Sequence, residues 1–254
     1  MSNILIIGAG KVGTATNIAI NNKADFHDPF KGIINDNFNL YEYVIVCVDT
    51  VQSGPEDYKD LESVLLELSE HMYSGLVVIR STVSPSKLGE WDNAYNIDYI
   101  LFPEFMPQRD GQLVTDAAWI AVLGGSKDNT QRFANDVLIA NNYPAKLDTY
   151  CYVSKEEASI IKLSDNAGLA TKLIYFNSVY KICEKFGASY ENVRQAIGLD
   201  DRIGIAHSIV PSPDDGLYGF GGHCLPKDLL AIAKIDQLGL FEHIDIINKK
   251  LRPS

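Results

Sequence analysis

Cysteine is scarce in this chain and nowhere clustered. Cys47, Cys151, Cys183 and Cys224 lie far apart with no metal-ligand spacing, so no metal centre is expected and the protein reads as reduced and cytoplasmic. No hydrophobic run suits a signal peptide or a membrane span, no segment repeats, and no low-complexity tract is present. Positive charge is also in short supply. With 22 Lys and Arg against 33 Asp and Glu, the formal net charge is -11, which argues against nucleic acid and anionic membrane surfaces as partners. A phosphate-bearing ligand would have to rely on local backbone N–H groups and a few basic side chains. At 254 residues the chain can bury a real core and form two domains.

What is present begins at the first strand. Ile4-Leu5-Ile6-Ile7 is a short apolar run of the kind that forms a fully buried strand. It leads directly into Gly8-Ala9-Gly10-Lys11-Val12-Gly13, a complete G-x-G-x-x-G, and Thr14 to Asn21 is compatible with a helix. Strand, glycine turn and helix are the context in which this motif binds a dinucleotide: a tight turn, close backbone approach to pyrophosphate, and close helix–strand packing. An acidic residue is expected about twenty residues on for the adenine ribose. Asp28 is the best candidate and favours NAD over NADP, since no arginine stands beside it for a 2′-phosphate; Asp25 is the alternative.

Strands and helices then alternate to about residue 150. The pattern predicts strands at Tyr43 to Val48, Leu76 to Ile79, Tyr99 to Phe102, Trp119 to Leu123 and near Ala145 to Leu147. Helices are expected at Glu56 to Tyr73 and around Asn129 to Asn141. Such alternation implies an α/β, Rossmann-like, doubly wound parallel sheet, with ligands at the carboxyl ends of its strands. Polar residues stand at those ends: Asp49-Thr50 just after Val48, Ser81-Thr82, and Pro103-Glu104-Phe105. From Ser154 to Phe186 the texture is one long helix, followed by a shorter one at Tyr190 to Ile197. The expected division is therefore a dinucleotide-binding domain over 1–150 and an all-helical domain over 151–254.

The densest signal lies near the other end, in Gly219-Phe220-Gly221-Gly222-His223-Cys224-Leu225-Pro226-Lys227-Asp228. A thiol follows a flexible glycine run at a helix start, with Pro226 in the first turn and Leu229, Leu230, Ile232, Ala233 and Leu238 supplying the apolar pattern. The positive end of the helix and Lys227 both favour a nucleophilic thiolate. A small buried cysteine is the plainer alternative, but three glycines and Pro-Lys-Asp are a poor setting for core. On the long helix, Lys162 and Asn166 are four apart and share a face, where they could steady an oxyanion; alone, the pair would read as solvated surface.

Together these motifs, in this order, resemble the nucleotide-sugar (UDP-glucose/GDP-mannose) 6-dehydrogenase family. The stretches that carry the likeness are Gly8 to Gly13, Ser81-Thr82-Val83, Pro103-Glu104-Phe105-Met106, Lys162 to Asn166, Asp201-Arg202-Ile203-Gly204 and Gly219 to Asp228. The resemblance implies a four-electron oxidation of a sugar C6 alcohol to the carboxylate with two NAD, UDP-glucose being the first choice of substrate. It gives Cys224 the role of nucleophile, through a thiohemiacetal and a thioester. Glu104 would activate water, Thr82 would hold catalytic water and cofactor, Lys162 and Asn166 would steady the reacting oxygen, and Asp228 would assist proton transfer. For the cofactor it implies Gly8, Gly10, Lys11, Val12, Gly13, Asp28, Val48, Thr50, Thr82 and Lys227. For the sugar it implies Phe105, Met106, Lys162, Asn166, Arg202, Phe220 and Gly221. The long helix would be the core of a homodimer.

The chain also departs from the family pattern. The likeness covers the first two of the family's three domains, so a separate chain supplying the nucleotide-binding third is one expectation. The Asp28–Val44 segment is short enough to lose a helix and to leave little room for a strand. Val51 replaces a proline, Gln108 stands where relatives carry a second glutamate, and His223 occurs in relatives acting on hexosamine nucleotides. Two other readings remain open. A β-hydroxyacid dehydrogenase would share the fold and the Lys-x-x-x-Asn helix but need no cysteine; a non-catalytic nucleotide-sugar or NAD binding module would keep the motifs without turnover.

Overall fold

Strands β1 (Ile4–Ile7), β3 (Tyr43–Val46) and β4 (Leu76–Ile79) are buried on both faces in the computed structural model, which describes residues 3–50, 57–109 and 112–252. Their apolar runs have no solvated side, which is the signature of a sheet covered by helices above and below. Alternate residues feed two separate cores. Ile4, Ile6, Ile45 and Val78 pack with Phe102 and Phe133 on one face, while Leu5, Val44, Val77 and Ile79 pack with Leu61, Leu65 and Trp91 on the other.

With β2 (Ala24–His27), β5 (Asp98–Leu101), β8 (Ala121–Gly124) and β9 (Tyr150–Val153), these strands form one sheet in the order β2-β1-β3-β4-β5-β8-β9. A two-stranded ribbon, β6 (Gln108–Arg109) with β7 (Gln112–Leu113), lies outside it. The chain leaves β1 toward β2 through helix α1 (Lys11–Ala19), then crosses to β3 on the other side of β1. This reversal of direction opens a crevice at the carboxyl ends of β1 and β3, where doubly wound sheets bind ligands. In place of a helix between β2 and β3 there are two 3-10 turns, Pro29–Lys31 and Phe38–Leu40, so β2 is the edge. Asn35 covers that edge, donating from Nδ2 to Phe26 O at 2.7 Å and from its backbone N–H to His27 Nδ1 at 3.2 Å. An otherwise bare edge is thus occupied locally.

Helix α2 (Lys59–Glu70) buries Leu61, Leu65 and Leu68. The expected start at Glu56, like Val51, lies outside the described residues. Helix α3 (Pro85–Ala94) begins with proline at its first position, as the missing N–H allows, and buries only Leu88 and Trp91.

Three expectations are corrected. The sheet is mixed, not wholly parallel: β5 meets β8 antiparallel at Leu101 and Gly124, and among the described residues between 102 and 120 there is no crossover helix to bring the chain back in the same direction. The last strand is Tyr150–Val153, parallel to β8; Ala145 to Leu147 is not a strand, and Leu147–Thr149 is a 3-10 turn. The β-favouring Tyr-Cys-Tyr-Val outcompetes the Pro144-Ala145 stretch. The helix expected at Asn129 to Asn141 is α4 (Lys127–Phe133) continued by a π-helical turn, Ala134–Ile139.

The chain divides into two compact units, Met1–Lys162 and Leu163–Ser254. Helix α5 (Lys155–Phe186) contains the division, and its first turns belong to the sheet unit, with Ala158 in that core and Ser159 Oγ donating to Val83 O at 2.6 Å. In the second unit, α5 is followed by α6 (Tyr190–Gly198), α7 (Cys224–Ala233) and α8 (Leu240–Leu251). Leu163, Ala167, Ala170 and Ile174 of α5 pack against Leu229 and Ile232 of α7, Ile244 of α8, and Phe220. Leu238 takes no part in α7: the helix ends at Ala233, and Leu238 is 92% exposed.

Candidate active site

In the first unit the strand ends are tied to one another by backbone bonds. Gly8 N donates to His27 O at 2.9 Å, Cys47 N to Ile7 O at 2.8 Å, Arg80 N to Val46 O at 2.9 Å, and Phe102 N to Ile79 O at 2.8 Å. The glycine loop sits on this platform. Gly8 has φ +96°, and a Cβ there would lie 2.7 Å from Cys47 O; one on Gly13 would lie 2.0 Å from Gly8 O. Nothing lies within 4 Å of a Cβ on Gly10, the N-cap of α1. Gly8 and Gly13 therefore let helix and strand close up, while Gly10 leaves open space over N–H groups at a helix start that has no acidic residue in its first turn. That combination suits a pyrophosphate. Lys11 is exposed beside it and Val12 half-buried.

Asp28 directly follows β2, and its Oδ2 accepts from Ala9 N at 2.9 Å. The carboxylate is thereby fixed against the glycine loop, at the strand end where a ribose-binding acid is expected. Asp25, the alternative, instead accepts from Tyr41 Oη at 3.0 Å. Lys31, which no sequence motif marks out, donates from Nζ to Ala9 O beside the Asp28 carboxylate. Val48 is half-buried and Thr50 buried; Ser81 Oγ donates to Val48 O at 2.6 Å, and Thr82 is half-buried next to it.

Glu104 follows β5, and its partner was not anticipated. Arg80, whose side chain is fully buried, forms an ion pair with it, while Glu104 Oε1 accepts from Met106 N. The Arg80 guanidinium lies 4.2 Å from the centre of the Phe102 ring. Burial pulls the Arg80 pKa down, but the Glu104 carboxylate outweighs it and the group is held above its ordinary value. Burial likewise pushes the nearby Cys47 thiol up to about 12, which makes it an inert core thiol. The one sequence signal for Arg80 was an ionisable residue closing the apolar run of β4. Phe105 and Met106 are buried, and Lys162 Nζ lies 4.7 Å from the centre of the Phe105 ring.

In the second unit Cys224 is the first residue of α7 and is exposed, so the plainer alternative of a buried core cysteine does not hold. One turn on, Asp228 is almost fully buried. It accepts a hydrogen bond from Asn166 Nδ2 and pairs with Lys227 Nζ at 3.1 Å. A buried carboxylate with one amide and one ammonium partner thus lies a turn below an exposed thiol. Phe220 is buried and Gly221 half-buried ahead of the thiol. Arg202 is exposed and paired with Asp200, Nε to Oδ1 at 2.9 Å and Nη2 to Oδ2 at 2.7 Å.

Residues 156–249, which include Lys162, Asn166, Arg202 and the whole cysteine decamer, match the central domain of the UDP-glucose/GDP-mannose dehydrogenase family. The UDP-glucose 6-dehydrogenase of Rickettsia felis is 30% identical over 243 residues, 89% of this chain and 51% of that protein. Over residues 156–249 the chain is thus similar to the central domain of the UDP-glucose/GDP-mannose dehydrogenase family. It spans about half the length of the curated relatives it matches. Solved structures of nucleotide-sugar dehydrogenases share its fold. A UDP-glucose dehydrogenase from the archaeon Pyrobaculum islandicum has a TM-score of 0.77 at 21% identity, with 99% of this chain and 68% of that one covered. The UDP-D-ManNAc dehydrogenase of Pyrococcus horikoshii has a TM-score of 0.77 at 18% identity, with 98% and 68% covered.

The candidate residues stand on two supports. The sheet unit holds Gly8 to Gly13, Asp28, Thr82, Glu104 and Lys162; the helical unit holds Asn166, Cys224, Lys227 and Asp228. Among the described residues, no group of His, Cys, Asp and Glu could hold a metal ion, and no helix is long and apolar enough to cross a membrane.

Proposed function

We propose that this chain takes part in the NAD-dependent, four-electron oxidation of a nucleotide sugar at C6, with UDP-glucose the first substrate to try. The observation that carries the reading is Cys224, exposed at the start of α7 with buried, doubly partnered Asp228 one turn below. The sheet unit is read as the cofactor domain: the backbone at Gly8 to Gly13 with Lys11 and Val12 for pyrophosphate, Asp28 for ribose, and Val48, Thr50 and Thr82 along the strand ends. Bound NAD supplies the acceptor for each of two hydrides.

The remaining chemistry is read onto this chain's side chains. Cys224 Sγ adds to the C6 aldehyde left by the first oxidation, forming a C–S bond, and Asp228 assists the accompanying proton transfer. Lys162 and Asn166 donate to the C6 oxygen, which bears negative charge as the tetrahedral adduct forms. The second oxidation leaves a thioester on Cys224; Glu104 and Thr82 hold the water that cleaves it, releasing carboxylate and free thiol. Splitting one hard conversion into two covalent steps is what a cysteine offers here. Phe105, Met106, Arg202 and the Phe220-Gly221 backbone are assigned to the sugar, and Lys227 to the cofactor phosphates.

Purified protein with NAD and UDP-glucose, then other nucleotide sugars, should release two NADH per sugar, and Cys224→Ala should abolish release. Activity that survives Cys224→Ala would favour a hydroxyacid dehydrogenase. Ligand-induced thermal stabilisation without NADH would favour a binding module, or a requirement for a second chain that supplies the nucleotide-binding part.

We further propose a homodimer built on α5. Tyr175, Ile182 and Phe186 are exposed apolar residues on that one helix. Sedimentation equilibrium at micromolar concentration should give twice the 28.1 kDa chain mass; a monomer would refute the dimer.

A further inference from the structure

The stretch leading to Cys224 is rich in glycine, yet it is held residue by residue. Asn177 on α5 accepts from Gly219 N at 2.9 Å, and its own Nδ2 is fixed by donating to Leu173 O at 2.8 Å. Asn248 on α8 meets both backbone groups of Phe220, accepting from its N–H at 2.9 Å and donating to its carbonyl at 3.0 Å. Arg252, just past α8, donates from Nε to Tyr218 O at 2.7 Å and from Nη2 to both carboxylate oxygens of Asp215, at 3.0 and 2.7 Å. Asn177 and Asn248 are almost fully buried.

These contacts give the glycines a different meaning from flexibility. Gly219 has φ +70°, and a Cβ on it would lie 2.3 Å from Asn248 Oδ1; a Cβ on Gly221 would lie 2.4 Å from Arg252 Nη1. The space a side chain would need is taken by the groups that grip the backbone. Three consecutive residues, Tyr218 to Phe220, are therefore bonded in place by three side chains from α5 and the α8 end, far away in sequence, and Gly221 packs close against Arg252. The plainer account, that these are ordinary bonds of a folded loop, predicts that loosening them loosens the whole α7–α8 pair.

We propose that Asn248 and Arg252, with Asn177, are positioning residues that fix the Tyr218–Gly221 backbone in the form that receives the sugar and presents Cys224. The sugar part of this rests on the reading given above; the clamp itself does not. Such preorganisation acts on substrate binding by removing the cost of ordering the loop.

The test uses the full chain with Arg252→Met, Arg252→Lys and Asn248→Ala, read by residue-resolved amide exchange and by sugar-dependent NADH formation. Arg252→Met should speed exchange at Gly219 and Phe220, the amides that Asn177 and Asn248 hold, by about tenfold or more while α7 and α8 amides keep their protection. It should also raise the KM for the sugar about tenfold, with kcat and the KM for NAD changed less than threefold. Arg252→Lys, which keeps the charge opposite Asp215, should recover part of both effects. Asn248→Ala should act the same way at the Phe220 amide if it folds; Arg252→Met decides the matter if it does not. Unchanged loop exchange, or loop and helices losing protection together, would overturn the proposal. A normal KM in a variant with a loosened loop would overturn its substrate role. If the wild-type chain forms no NADH with any sugar, the function proposed above fails while the exchange result still decides the clamp.

Discussion

Arg80→Met should lower the stability of the sheet unit by about 3–5 kcal/mol, the cost of breaking a buried ion pair from one side. Arg80 is fully buried and the Glu104 side chain is 13% exposed, and both the carboxylate and the ring of Phe102 take part in housing the guanidinium. Methionine fills much of the arginine stem but leaves Glu104 without its counter-charge, with the Met106 N–H still donating to it. The double variant Arg80→Met/Glu104→Leu should be much less destabilised than the sum of the two single changes, because neither charge is then stranded. Tryptophan fluorescence during urea unfolding is a suitable probe, since both tryptophans, Trp91 and Trp119, lie in the sheet unit, so melting of the helical unit does not confuse the signal. A loss below about 1 kcal/mol would mean that Glu104 finds water once Arg80 is gone and that the pair is not a structural element.

The contrast between what was and was not legible beforehand follows from how far apart the interacting residues are. β1 and β4 appear at their expected positions because Ile4–Ile7 and Leu76–Ile79 are apolar without interruption, and burial on both faces demands only that. Direction is different. β8 enters antiparallel, with no crossover helix among the described residues between 102 and 120, and an apolar run has no mark of its direction. Helix α3 was passed over because it buries two residues in ten, too thin a stripe for periodicity to register. The family motifs were readable because each is a short local string. Arg80 and Glu104 are 24 residues apart and become neighbours only when β4 pairs with β5 in the register Ile79 to Leu101. The glycines before Cys224 were visible but misread, because the side chains that occupy their missing Cβ space come from Asn248 and Arg252.

Two glycines in one motif should fail in different ways, and the difference tests the cofactor reading itself. A Cβ on Gly13 meets the carbonyl oxygen of Gly8 at 2.0 Å, and backbone cannot swing aside as a flexible side chain could. Gly13→Ala must push α1 away from β1, at about 3 kcal/mol or more, the upper end of overpacking costs. The same displacement drags the N–H groups of the α1 start from the position set by Gly8 and Cys47, so NAD binding should fall below detection by calorimetry. Gly10 has φ -77°, which alanine adopts freely, and no atom stands within 4 Å of its Cβ. Gly10→Ala should therefore cost about 1 kcal/mol or less, the change in N-cap preference. Its effect on binding should nonetheless be large, about a hundredfold, because among the described residues nothing stands near the new methyl group, which would obstruct a ligand lying on the loop. Full NAD affinity in Gly10→Ala would remove pyrophosphate from that position and leave the glycine loop a packing device alone.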